Sequence, residues 1–500
     1  MFFFMQTIID YMAGEFIKKL ADLQLNFYRN PTEVAEFVLE TRKETDELAR
    51  RFVQEMIEEM DEIIKRMPER KKNWVVERSS DSKKMITSVG DIVFQKTLYE
   101  SKYERDEDGK LIQCYLLDKV MGFEQNQSMT EDAMAKIYEE AVQSSYRKGG
   151  EAASPQGVSK GAVKNLLHKT KYPKNYCALK EKKQVKYLYI DADEDHYHLQ
   201  FQNQKGDLIR NEKGRKCNGA INKLIYVFED IVPEAPKSKR NRLVNTHYFC
   251  RGTEQDNKEL WKEVFAYIEA TYDVEAIEKI YINADGGQWI KTGYDSLIPC
   301  VFVLDEFHIS QSFVRLTSHM KDSQEDAINE LRECLKTGSR KKFERIVERL
   351  EGCTESESVY IKIEREKRYL LENWTAAKYR LKRSEGIKAC SAEGHVYHVL
   401  SSRMSTQAMG WSRHGGSQMA RLREYYYNGG NMLELAKYQK EDLPMAAGAE
   451  EVVLSANEVV EMAGYRTKEQ LEYGKYSEQM KHTIPKYHKR ILYRSLRGKI

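Results

Sequence analysis

Residues 186–196, KYLYIDADEDH, constrain this chain more than any other stretch. Tyr187, Leu188, Tyr189 and Ile190 are strand formers, and Asp191 and Asp193 follow at a spacing of two. In an extended chain that spacing turns both carboxylates to one face. Carboxylates on a sheet face are costly to bury without a compensating positive charge. A divalent cation supplies that charge where several acids converge. The remaining sequence decides whether other carboxylates reach this strand.

Five hundred residues exceed one ordinary core, so several domains are expected. Residues 1–75 read as a helical region. Within it 33–67 is one amphipathic helix, with Phe52, Met56, Ile57, Met60, Ile63 and Ile64 at helical spacing and Pro68 ending the run. Such a helix packs in a bundle or pairs with a second copy. Residues 76–120 change period and read as a small β-module with Asp108-Gly109 as a hairpin turn. Residues 121–172 return to helix. SYRKGGEAAS (145–154), a turn around Pro155-Gln156-Gly157, and VSKGAVKNLLHKT (158–170) have the form of a helix-turn-helix. Ser159 is the expected cap of its second helix. Ala162, Val163, Leu166 and Leu167 would face a core, and Lys160, Lys164, His168 and Lys169 a DNA groove.

Charge supports that reading locally. The whole chain is only +3, but Arg147 to Lys183 holds ten Lys or Arg against two Glu, and Lys481 to the end holds seven with no acid. Both segments suit phosphate neutralisation. Lys171 to Lys183, broken by Pro173, reads as a basic linker.

From 184 a mixed α/β pattern begins. Strands are expected at 185–191, Tyr197 to Phe201, Leu224 to Phe228 and Val244 to Cys250, then a helix over Asn257 to Tyr272. Two further strands run into Asp285-Gly286-Gly287 and into Asp305 with His308. Asp193, Asp285 and Asp305 would then stand at strand ends, where sites in such sheets form. Residues 311–385 break the alternation with roughly three charged helices, Ser323–Leu335, Arg340–Leu350 and Ser358–Tyr379. In 386–416 Ser391 can cap a short helix carrying Glu393, with His395 and His398 one turn apart. Residues 417–500 read as helical with a basic, aromatic tail. The eight cysteines form no CxxC pair, which argues against a zinc ribbon or a disulfide framework. Asp10 and Glu15 interrupt the apolar start, so neither a signal peptide nor a membrane span is expected.

Four separated motifs, YLYIDADEDH, INADGGQWI, LDEFH and CSAEGHVYHVLSSRMS with MGWS, together resemble the ISLre-two family of bacterial insertion-sequence transposases. The likeness covers nearly the whole chain. It implies a multidomain α+β and α/β protein: a ribonuclease-H-like mixed-sheet catalytic domain (184–310 and 386–416), interrupted by the helical insertion and preceded by helical and helix-turn-helix DNA-binding regions. It implies a DDE triad of Asp193, Asp285 and Glu393 holding two Mg²⁺ or Mn²⁺ ions, with Asp191 as the alternative first acid and His308 supporting near the phosphates. It also implies a cytoplasmic, DNA-bound enzyme that cleaves terminal inverted repeats and joins them to target DNA, as a homo-oligomer that brings two ends together. A non-catalytic DNA-binding regulator on a decayed nuclease fold and a ribonuclease-H-like repair nuclease are the alternatives.

Overall fold

The computed structural model describes residue 8 and residues 10–441, except 125, 175, 202–208, 211–213, 215, 253–255, 292–299, 384–385 and 408. The basic tail from Lys481 therefore lies outside the described residues. Contacts divide the chain into two units. The first comprises Met1–Ala141, Ser145–Val163 and Met432–Ile500, and the second Val142–Ser144 and Lys164–Asn431. The boundary expected at 417 does not coincide with this division, because helix Met432–Glu441 packs on helix Glu131–Ala141 while helix Arg413–Tyr427 stays with the second unit.

In the first unit, the long helix runs Val34–Arg66, and Pro68 opens a short following helix rather than a loop. The helix lies on a three-stranded antiparallel meander, β1 (Trp74–Thr87), β2 (Gly90–Arg105) and β3 (Leu111–Tyr115). Ile57 and Ile64 join Trp74, Met85, Ile92 and Phe94 in its core. The buried Asp61 fixes the contact by accepting from the Thr97 amide (3.2 Å) and hydroxyl (2.7 Å). The meander begins at Trp74, in a polar stretch that carries no alternation signal. The Asp108-Gly109 turn forms as expected, with Gly109 at φ +79°.

Helices Tyr146–Ala153 and Lys160–Lys169 flank the predicted turn. The Ser159 hydroxyl accepts from the Ala162 amide at 3.2 Å. Gly150 lets the turn lie directly on the first helix: a Cβ there would stand 2.1 Å from the Val158 carbonyl oxygen, and the Val158 amide donates to Gly150 O at 2.8 Å. Val163 is buried, whereas Ala162 is exposed, not core-facing as its spacing implied.

The second unit is built on a five-stranded sheet. In chain order its strands and their neighbours are β4 (Tyr187–His198), the two-residue ladder β5 (Ile209–Arg210) with β6 (Lys216–Cys217), β7 (Gly219–Phe228), the hairpin β8 (Asp230–Pro233) with β9 (Asn241–Val244), β10 (His247–Gly252), β11 (Lys279–Ala284) and β12 (Cys300–Leu304). The large sheet has the order β10-β7-β4-β11-β12. Its β10, β7 and β4 pair antiparallel, and β4, β11 and β12 pair parallel. One face, with Leu188, Ile190, Ala192, Ile225, Val227, Ile280 and Ile282, packs under helix Asn257–Thr271. A second core gathers Leu304 with the insertion helices.

Three expectations change. The strand expected over 197–201 is instead the far end of β4, which runs through the acidic stretch to His198. The strand expected over 244–250 is two, because Asn245 adopts φ +52° between β9 and β10. The helix expected over 358–379 breaks at Asn373 into Glu357–Glu372 and Trp374–Lys382. Among the described residues no helix is long and apolar enough to cross a membrane.

Candidate active site

The parallel register creates a row of acids. Asn283 pairs with Asp191 and Ala284 with Ala192 across β11 and β4, and Ala284 pairs with Leu304 across β11 and β12. Carried one residue further, the same register sets Asp285 beside Asp193 and Asp305 beside Asp285, on chains about 4.8 Å apart. Both β11 and β12 end there, while β4 continues against β7 alone. Asp193 is thus mid-strand, not at a strand end, yet it lies where its parallel neighbour has stopped.

The row is electrostatically linked. Burial, reinforced by the Asp285 carboxylate, pushes Asp193 up to about 6 against the opposing Glu194 amide and His308. The Glu194 amide donates to Asp193 Oδ1 at 2.8 Å. Asp305 caps helix Glu306–Thr317, and its Oδ2 lies 3.2 Å from His308 Nδ1. That hydrogen bond holds His308 above its ordinary value, and Asp285 and Asp193 add to the effect. The Asp285 turn is fixed from both sides. Its Oδ1 accepts from the Gly287 amide at 2.8 Å, and its carbonyl accepts from the Tyr369 hydroxyl at 2.6 Å. Gly286 has φ +92°, and a Cβ there would meet the Asn373 amide at 3.0 Å, so this glycine accommodates the helical insertion. Trp289 Nε1 donates to Glu194 Oε2 at 3.0 Å and ties the turn to β4.

Asp191, Asp193 and Asp195 share the face of β4 opposite the apolar core. Their roles differ. Asp191 is fully buried with both oxygens engaged: Oδ1 accepts from Asn283 Nδ2 (2.6 Å), and Oδ2 from the Tyr226 hydroxyl (2.7 Å) and the Ser391 amide (3.0 Å). Asp195 Oδ1 accepts from the hydroxyls of Ser401 (2.7 Å) and Ser405 (2.8 Å). The segment 391–405 is therefore clasped to β4 at Asp191 and again at Asp195. Glu393, exposed on helix Ala392–Val396, lies in the span between the clasps.

Asp193 and Asp285 offer oxygen donors only, and the elevated Asp193 is a carboxylate short of positive charge. That donor set suits a hard divalent cation. Among the described residues, no three His, Cys, Asp or Glu side chains form a complete metal-holding group, so Glu393 is not gathered with the pair. On the helix-turn-helix, Lys160, Lys164 and Lys169 are exposed. His168 is not: its half-buried ring meets His414 edge-on at 5.1 Å, and its carbonyl lies 2.8 Å from His414 Nε2. The sequence reading gave no site role to Tyr226, Asn283 or the serines of the clasps, although it named Ser391 as a helix cap. Asn283 stands in the motif INADGGQWI, and Ser391, Ser401 and Ser405 in CSAEGHVYHVLSSRMS.

Among solved structures, the Drosophila P element transposase strand transfer complex aligns with 64% of this chain and 83% of its own at 11% identity, with a TM-score of 0.22. A likeness at that level carries no argument. Sequence relatives are far nearer. One UPF0236 protein of Caldanaerobacter subterraneus subsp. tengcongensis is 34% identical over 438 residues, covering 88% of this chain and 87% of its own. Another is 34% identical over 431 residues, covering 86% and 87%. The names of two such relatives join eleven and four loci of that bacterium, so the family is present there in many copies. The family model spans residues 28–441, and the chain belongs to UPF0236, described as an uncharacterised protein family.

Proposed function

We propose that this protein is a DDE transposase of the ISLre-two type, which cuts DNA at the ends of its own element and joins them to target DNA. The observation that carries the reading is the in-register row of Asp193, Asp285 and Asp305 with His308, built by three parallel strands and electrostatically coupled. The reading takes the five-stranded sheet as ribonuclease-H-like, and its order, with two antiparallel pairings followed by two parallel ones, supports this. Relatives in many copies within one bacterium fit a mobile element. The exposed Lys160, Lys164 and Lys169 fit DNA contact.

In this reading Asp193 and Asp285 hold the divalent cations, with Glu393 the third acid. Mg²⁺ or Mn²⁺, when bound, supplies charge neutralisation at the phosphate and activation of the attacking hydroxyl. The chain's own groups do the rest. His308, whose protonated form the Asp305 hydrogen bond favours, donates toward a phosphate oxygen. The turn at Asp285, tied at its carbonyl and its carboxylate, keeps that acid from swinging away as DNA enters. The Ser391 and Ser401/Ser405 clasps hold the segment bearing Glu393 along β4.

The test is strand cleavage and strand transfer on DNA carrying the element's inverted repeats, with Mg²⁺. Wild type is expected to generate 3′-hydroxyl ends and joined products, and Asp285→Asn to lose both by 10³-fold or more, on the order of 4 kcal/mol. Unimpaired turnover by Asp285→Asn overturns the site, and cleavage without joining points to a repair nuclease.

A further inference from the structure

At Ser391, whose amide donates to Asp191, lies a cleft of about 430 Å³. It is walled by the β9 hairpin strand, by β10, and by the segment that carries Glu393. Tyr248 and His395 form its aromatic wall, joined by a 2.8 Å hydrogen bond between the Tyr248 hydroxyl and His395 Nδ1, with ring centroids 5.7 Å apart. Asn241 and Thr246 add an amide and a hydroxyl, and Ser391 closes the inner end. No carboxylate lines the cleft, and its one charged residue is the exposed Arg242, which has no ion-pair partner among the described residues. Two acids on the hairpin stand two residues either side of Val232, the cross-strand partner of Arg242: Asp230, paired with Lys388 at 2.7 Å, and the exposed Glu234.

We propose that this cleft receives one unpaired nucleotide of the DNA strand adjoining the cleaved bond, its base against Tyr248 and His395 and its phosphate on Arg242. The chemistry matches at each point. The volume suits a mononucleotide. Aromatic faces take any base by stacking, and a guanidinium at a cleft lined by no carboxylate favours an anion. Ser391 and His395 flank Glu393 in sequence, so a nucleotide here lies against the segment that bears the proposed third acid. This rests on the transposase reading and names how its substrate is held.

The experiment uses the full chain with EDTA, so that binding is read without turnover. Element-end duplexes carrying 2-aminopurine at successive positions next to the cleavage point are titrated by fluorescence. In wild type one position is expected to respond several-fold more than its neighbours. Arg242→Ala, on the exposed rim, is expected to lose that response and weaken binding to a frayed end about tenfold. Thr246→Phe, which fills the cleft, is expected to abolish the response. Wild type that binds DNA with no position-specific response, or an Arg242→Ala response equal to wild type, overturns the cleft. Thymidine monophosphate that binds wild type at millimolar concentration, with DNA binding unchanged in Arg242→Ala, assigns the cleft to a free nucleotide and also overturns the proposal. Absence of any DNA binding by wild type fails the transposase reading instead.

Discussion

Asn283 faces Asp191 with its donor and Arg380 with its acceptor: Nδ2 donates to Asp191 Oδ1 at 2.6 Å, and Oδ1 accepts from Arg380 Nη2 at 2.6 Å. Arg380 can only donate, so it fixes the amide orientation of Asn283 and thereby requires an acceptor at position 191. Four donors in all converge on Asp191, the Ser391 hydroxyl at 3.4 Å included, and burial raises the carboxyl above its ordinary value.

Asp191→Asn therefore opposes a side-chain donor to at least one of those groups. The expected cost is about 1–3 kcal/mol, the penalty for a buried donor left unpaired. Chemical denaturation checks it. Because the Ser391 amide is one of the donors, DNA cleavage is expected to fall with stability. A variant as stable and active as wild type removes the argument that Asp191 positions the Glu393 segment.

Asp193 carries the opposite liability. Its folded value, about 6, lies above the ordinary 3.8, so the folded state holds this proton more tightly than the unfolded chain. The charged form then costs stability progressively as pH rises from about 3.8 to 6, and constantly above. In EDTA, Asp193→Asn is expected to be more stable than wild type at pH 7.5 by on the order of 2 kcal/mol, several degrees in Tm, and equal to it near pH 3.5. Added Mg²⁺ should raise the wild-type Tm and leave that of the variant unmoved. A variant less stable than wild type at neutral pH would show that the carboxylate is compensated within the protein.

Two glycines of the helix-turn-helix separate packing from propensity. Gly150→Ala places a Cβ against the Val158 carbonyl and should destabilise by about 1–3 kcal/mol through overpacking. Gly161→Ala meets only the Ser159 hydroxyl at 3.8 Å, and should stabilise by about 0.5–1 kcal/mol through helix propensity. Thermal melts of the two variants give the signs directly.

Lys164 is exposed on the second helix of that motif. Lys164→Ala is expected to weaken DNA binding nearly uniformly across sequences and to reduce the slope of log affinity against log salt by roughly 1. An unchanged slope would place the DNA elsewhere.

Much of the second unit was legible because its strands are apolar runs that stop at an acid. Asp285 follows Ala284 and Asp305 follows Leu304, as the pattern requires. The continuation of β4 to His198 was not legible, because Asp191, Asp193 and Asp195 look like an exposed knot. They enter the sheet only because partners far along the chain satisfy two of them. Ser391 stands 200 residues from Asp191, and Ser405 stands 210 from Asp195. No local period carries such a pairing. The break at Asn373 was hidden for a related reason: its side-chain amide returns to Tyr369 O at 2.9 Å and ends the helix against Gly286, a tertiary contact. Ala162 was misjudged because one helix turn offers more apolar positions than the contact uses.

The length of those clasps has a consequence for the timing of synthesis. A ribosome adding roughly 5–20 residues each second needs about 10–40 s to travel from Asp191 to Ser391. Until then the nascent chain carries Asp193 on a strand whose buried Asp191 and Asp195 lack their last partners. An interrupted or abortively translated copy is left in the same state. On the transposase reading, this long-range closure would act as a safety catch: the segment bearing Glu393 is clasped to β4 only once nearly all of the described chain has been made.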